Sequence, residues 1–226
     1  MRSLDDKLIS HLKSFTTSER IKLFEQKVEE RTKHITIVLE NIFQEHNTSA
    51  CIRSADCFGI QDVHIIENNN TFKDNSHISM GASKWLNIKR YNEKENNTKD
   101  TIQKLRKKGY QIAATTPHNS DLSLFNLDIK QKTAIIFGSE HNGCSNIALD
   151  EADIKINIPM YGFTESFNIS VAVALCLQEL SYKIRKTEIN WKLGKKEKNE
   201  VILAWLRNSI KSSNQIEELF KKHNLR

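Results

Sequence analysis

The sequence predicts an α/β domain on a largely parallel sheet, with helical segments at both ends. Three observations carry this. Short β-branched runs, such as His34 to Leu39 and Thr133 to Phe137, alternate along the middle of the chain with segments of helical period. Compact polar or glycine-containing loops follow several of these runs. The stretch from Ile154 to Leu180 places a strand, a tight loop and an apolar helix in direct succession. Open α/β sheets bind their ligands at such strand-to-helix loops.

Residues 1–34 are expected to be helical. Leu4, Leu8 and Leu12 share one face, and Thr17 or Ser18 caps a second helix carrying Ile21, Phe24 and Val28 at helical spacing. His34 to Leu39 is the first core strand. The loop from Glu40 to His46 leads to a helix that Asn47 is expected to cap and Gly59 to close. Asp62 to Ile66 is the second strand, Asn68 to Ser79 a loop, and Lys84 to Tyr91 the third strand. A basic amphipathic helix runs from about Thr98 to Lys108 and stops at Gly109. Tyr110 to Thr115, Thr133 to Phe137 and Ile154 to Ile158 supply three more strands. Pro159 removes a backbone donor and ends the last of them. Asn168 is placed to cap a helix free of charge up to Glu179, which is therefore expected to be buried on most sides. Two more helices follow, near Lys195–Ser212 and Ser213–Lys222, the first anchored by Val201, Leu203, Trp205 and Leu206. The expected organisation is an N-terminal helical extension (1–34), a central domain (35–185) and a basic C-terminal extension (186–226).

The 226 residues suffice for a sizeable core, and 38% hydrophobic with 27% charged residues is the balance of a soluble globular protein. The formal net charge is +6. From Ser181 onward twelve Lys/Arg face five Asp/Glu, so this segment alone accounts for the whole excess. Lys89 to Lys108 adds a second basic cluster. Such an excess suits an anionic partner. The cysteines at 51, 57, 144 and 176 form no CxxC pair, which points to free thiols in a reducing compartment. The charged start lacks an apolar signal core, and no run is long enough to span a bilayer, so a cytoplasmic, membrane-free protein is expected.

Three loops hold residues that could do chemistry. In the first, Asn47 starts a helix and Arg53 lies along it. The plain alternative is that Asn47 is only a cap and Arg53 only pairs with Asp56 one turn on. The second, Gly138 to Gly143, stands at the carboxyl end of a strand, where its glycines let backbone approach a ligand and Glu140 can orient a cationic or basic group. It matches neither GxGxxG nor a P-loop. In the third, Ile158, Met160 and Phe167 offer an adenine apolar walls, with backbone amides around Ser166 for polar contacts. His and Cys lack metal-ligand spacing, and Ser166 and Ser170 lack an adjacent His, so metal and hydrolase chemistry are poorly supported.

Glu40 to Gly59 (ENIFQEHNTSACIRSADCFG), Phe137 to Ser145 (FGSEHNGCS) and Ile158 to Ser170 (IPMYGFTESFNIS) resemble, in order and spacing, the three motifs of the SpoU/TrmH group of SPOUT RNA methyltransferases. The two ends of the chain resemble the tRNA (guanosine-2′-O)-methyltransferase subgroup. The resemblance covers nearly the whole chain, most firmly Thr32 to Leu180. It implies a SPOUT-type α/β domain with a C-terminal trefoil knot, a homodimer, S-adenosylmethionine as cofactor and tRNA as partner, with no DNA and no resident metal. The implied reaction is methyl transfer to the ribose 2′-hydroxyl of the D-loop guanosine at position 18 of tRNA. Alternatives are a ribosomal RNA or another tRNA position as acceptor, or a catalytically silent RNA-binding homologue. Carried over by motif, Asn47, Arg53, Glu140, Ser166 and Asn168 form the catalytic set. Thr115, Gly138, Ile158, Met160 and Phe167 form the cofactor set.

Overall fold

The structure is a computed structural model and describes residues 4–224. Its centre is a seven-stranded, all-parallel sheet. The strands are β1 (Ile35–Glu40), β2 (Asp62–Ile66), β3 (Asn87–Tyr91), β4 (Tyr110–Thr115), β5 (Leu122–Ser123), β6 (Lys132–Phe137) and β7 (Ile154–Asn157). Their spatial order is β3-β2-β1-β6-β4-β7-β5. All six residues of β1 are buried, as a central parallel strand covered on both faces must be. The chain works outward from β1 to β3, then crosses to the other side, where β6 enters between β1 and β4 and β7 between β4 and β5.

Helices α3 (Glu45–Cys57) and α7 (Ile169–Arg185) cover one face with α4 (Ser76–Ser79); α5 (Thr98–Arg106) and α6 (Asn146–Glu151) cover the other. The larger apolar cluster joins Ile37, Leu39, Ile52, Ile135, Val173 and Leu177. The smaller joins Val38, Ile102, Leu105, Ile112 and Ile136. Gly59 and Gly109 turn the chain at φ 77° and 82°, where a Cβ would be strained.

Three local expectations need correction. The third strand begins at Asn87 rather than Lys84. Gly81 at φ 78° starts a 3₁₀ turn, and its Lys84 and Trp85 amides are spent on the carbonyls of Gly81 and Ala82. The loop after β2 contains α4, which Asn75 caps through a bond from the His77 amide. Beyond Pro117 lies β5, too short to show any periodicity. Helix α7 ends at Arg185, and the one side it leaves open is a stripe of Val171, Leu175 and Tyr182.

The chain divides into two compact units, Thr32–Trp191 and a second made from the segments before and after it. In this second unit α1 (Leu4–Lys13) and α2 (Ser18–Val28) pack on α8 (Lys195–Ser209), joined by α9 (Ser213–Asn224). Leu8, Leu12, Phe24 and Val28 are buried there with Val201, Trp205 and Leu206. The Phe24 and Trp205 rings lie 5.4 Å apart, and the Arg31 guanidinium sits 5.3 Å from the Trp205 ring. No described helix is long and apolar enough to cross a membrane.

Candidate active site

The loops at the carboxyl ends of β4, β6 and β7 close on one cavity of about 440 Å³. That size lies within the usual range for small-molecule sites. Seven of the ten residues singled out above line it: Thr115, Gly138, Glu140, Ile158, Met160, Ser166 and Phe167. Thr115 is fixed by donating its hydroxyl to the Ile136 carbonyl at 3.0 Å. Ile158, Met160, Phe167 and Leu149 supply the apolar lining. A Cβ built on Gly138 would overlap the backbone of Gly143 and Cys144, so no other residue fits this turn. The turn is closed by paired bonds between Ser139 and Gly143, at 3.0 and 2.9 Å.

Asn47 and Asn168 lie outside the cavity wall but are tied to it. Asn47 donates its amide to Glu140 Oε1 at 2.7 Å, and Asn168 donates its own to Asn47 Oδ1 at 3.2 Å. Glu140 also accepts from the backbone amides of Phe43 and Gln44, at 3.0 and 3.3 Å. One residue from each of three loops is thus joined in a single chain of hydrogen bonds. Asn168 caps α7, its Oδ1 accepting from the Ser170 amide at 2.9 Å. Asn47, however, is not the cap of α3. That position belongs to Gln44, whose side chain makes no capping bond, while Asn47 is 2% exposed in the first turn with its amide committed to Glu140.

Arg53 is the exception. It lies on α3 but does not line the cavity, and its side chain is exposed with no ion pair to Asp56 among the described residues. Two contributors are not visible in the pattern of residues. His118 and Glu165 face each other at 3.5 Å at the rim, and Thr116 and Pro117 complete the wall beside them. Nothing in the sequence marks these positions except that they fall in polar loops.

Burial alone would raise the Glu140 carboxyl, but the bonds from Asn47 and the Phe43 and Gln44 amides outweigh it and hold it below its ordinary 4.5. The site therefore gains stability wherever Glu140 is ionised, and loses it as pH falls through that lowered value. Thermal melts across pH 3 to 6 should show an acid-side loss beginning below about pH 4.5. Glu140→Gln should remove part of that loss, and an identical pH profile in the variant would refute the assignment. Cys144 behaves differently. Burial, helped by the nearby Glu40 charge, pushes its thiol up to about 12, so it packs as an un-ionised side chain.

The chain is similar to known proteins over most of its length. The model of the SpoU rRNA methylase family matches residues 34–178. A tRNA (guanosine(18)-2′-O)-methyltransferase from Borreliella burgdorferi is 40% identical over 213 residues, covering 94% of this chain and 96% of that protein. The enzyme of the same description from Thermus thermophilus is 28% identical, covering 84% of this chain and 97% of its own. The solved A. aeolicus TrmH/SpoU tRNA modifying enzyme superposes with a TM-score of 0.76 at 28% identity, covering 85% of this chain and 98% of that one. The AviRb methyltransferase of Streptomyces viridochromogenes, solved with AdoMet, shares the fold at 22% identity and a TM-score of 0.59, covering 72% of this chain and 62% of its own. The chain belongs to the SpoU rRNA methylase family.

Proposed function

We propose that this protein is an S-adenosylmethionine-dependent tRNA (guanosine-2′-O)-methyltransferase acting on the D-loop guanosine at position 18. The observation that carries the reading is the union of Asn47, Glu140 and Asn168 beside the cavity. The 40% identical relative of almost equal length bears the same activity in its name. The cavity fits the cofactor: Ile158, Met160 and Phe167 suit an adenine, and the turn at Gly138 brings bare backbone to the wall. Bound there, S-adenosylmethionine supplies a methyl group already activated by its sulfonium.

What remains for the protein is to position a weak nucleophile and help its proton leave. Glu140, kept ionised, orients the Asn47 amide, and Asn47 in turn orients Asn168. Ser166 offers a hydroxyl to the acceptor. Arg53, exposed and free of ion pairs among the described residues, is suited to hold an RNA phosphate beside the reacting ribose. Arg53→Ala should therefore lower tRNA turnover at least tenfold, the scale of one charged contact, while S-adenosylmethionine affinity stays within twofold. Retention of most turnover would remove Arg53 from the reaction.

Three further features belong to this reading. The basic helical unit holds tRNA, supported by the Lys/Arg excess beyond Ser181. A homodimer is supported by the exposed stripe of Val171, Leu175 and Tyr182 on α7 and by the fully exposed Tyr161 and Phe163. A trefoil knot in the C-terminal part is consistent with the way β6 and β7 enter between strands already laid down. Such an enzyme works in the cytoplasm with its substrate. The deciding experiment is transfer of labelled methyl from S-adenosylmethionine to an unmodified tRNA transcript, followed by mapping of the modified ribose. A 2′-O-methylguanosine at position 18 is the expected product. Label only on ribosomal RNA would replace the substrate, and no label on either would leave an RNA-binding homologue.

A further inference from the structure

A second cavity, of about 280 Å³, lies against the first, and Ser139, His141, Asn142 and Gly143 line both. A ligand in one therefore stands one loop away from a ligand in the other. We propose that this second cavity receives the base of the nucleotide being methylated, and that it selects guanine. The proposal rests on the tRNA reading above. Enzymes that work on a nucleotide within folded RNA commonly splay its base out of the stack, and proteins hold such bases by aromatic stacking and amide hydrogen bonds.

Both kinds of contact are present. Phe43 lines the cavity and is 64% exposed, a large apolar ring with no share in the core. The His141 ring stands 6.4 Å from it in an edge-on arrangement, so the two form an aromatic rim. The side-chain amides of Asn69 and Asn142 make no hydrogen bond among the described residues. Asn70 spends only its nitrogen, donating to the Asn41 carbonyl at 2.9 Å, and keeps its oxygen. These groups can both donate to and accept from a base edge.

The floor is rigid. Asn41 holds a left-handed conformation at φ 53°, and its Oδ1 accepts from the backbone amides of Asn68 and Asn69, both at 2.9 Å. That ties the loop after β1 to the loop after β2. Glu40, 1% exposed, accepts from the Ser145 amide and hydroxyl at 2.9 and 2.7 Å and from the Thr98 hydroxyl at 2.6 Å. A carboxylate in the floor disfavours phosphate. The free amide oxygens of Asn69, Asn70 and Asn142 can accept from the guanine edge, which presents N–H donors where adenine presents an acceptor nitrogen.

The test is steady-state methylation of tRNA transcripts carrying guanosine or adenosine at the target position, with calorimetry of S-adenosylmethionine alone. Phe43→Ala keeps the backbone amide that Glu140 uses. It should raise KM for tRNA about tenfold through lost stacking, with kcat and cofactor affinity unchanged. Asn69→Ala combined with Asn142→Ala should narrow the guanosine-over-adenosine preference by about the same factor. In parallel, saturation-transfer NMR with free guanosine should detect binding to the wild type and not to Phe43→Ala. Because that measurement needs no methyl transfer, it reads the pocket even if tRNA proves the wrong substrate. Unchanged KM and preference in the variants, or no guanosine signal in the wild type, would overturn the proposal. So would a loss of cofactor affinity that parallels the rise in KM, since the cavity would then be an annex of the cofactor site.

Discussion

Gly138→Ala is expected to cost this protein its cofactor. The added methyl group would land on the peptide between Gly143 and Cys144, which is backbone and cannot swing aside. The turn must open, and its paired Ser139–Gly143 bonds must break or stretch. Overpacking of this kind costs on the order of 3 kcal/mol, which converts to a fall of roughly a hundredfold in S-adenosylmethionine affinity. Calorimetry measures it directly, and circular dichroism at the same temperature separates lost binding from lost folding. Gly162→Ala is the matched control, because a Cβ there meets nothing within 4 Å. If Gly138→Ala binds the cofactor within threefold of wild type, the turn does not form the cofactor wall.

The second large effect is expected from Asn47→Ala. That one truncation removes the donor that Glu140 receives at 2.7 Å and the acceptor that Asn168 uses at 3.2 Å. A hydrogen bond to a charged group contributes about 1.5–3 kcal/mol, so kcat/KM for tRNA should drop by roughly ten- to a hundredfold. Cofactor affinity should hold, since Asn47 does not line the cavity. The acid-side loss of stability should also shrink, because Glu140 loses the strongest of the bonds that hold its carboxyl below the unfolded value. Combining Asn47→Ala with Glu140→Gln should add little to either variant alone, as expected for residues that act as one unit. Full additivity would mean that the two act separately.

The strands and their parallel arrangement were legible because they are buried, β-branched runs separated by helical segments. Asn168 was legible as a cap because it immediately precedes an uncharged helix. The pairing of Asn47 with Glu140 was not, since 93 residues separate them and only the sheet order brings their loops together. Asn47 looked like a cap for a local reason. Asn is a favoured capping residue, whereas the Gln44 that occupies the position caps nothing with its side chain. Composition foretold that α7 is buried on most sides but not which side stays open, because Val171, Leu175 and Tyr182 on the exposed stripe are as apolar as the buried ones. The second cavity had one sequence sign, the run Asn68-Asn69-Asn70, which carries no period and takes its meaning only from Asn41 across the loop.

The helical unit drawn from both ends of the chain has a consequence for how the protein is made. Helices α1 and α2 leave the ribosome well before α8, and the ion pair between Glu29 and Lys198 closes across 169 residues. At about 5–20 residues per second, Leu12, Phe24 and Val28 wait on the order of ten to forty seconds for Trp205 and Leu206 to arrive. Helices this short are marginal alone in water, so through that interval α1 and α2 trail as a fluctuating, mixed-charge tether. The sheet between them can fold first. The helical unit is completed only once α8 has emerged, and a nascent chain truncated before α8 would carry a folded centre with an unfinished front end.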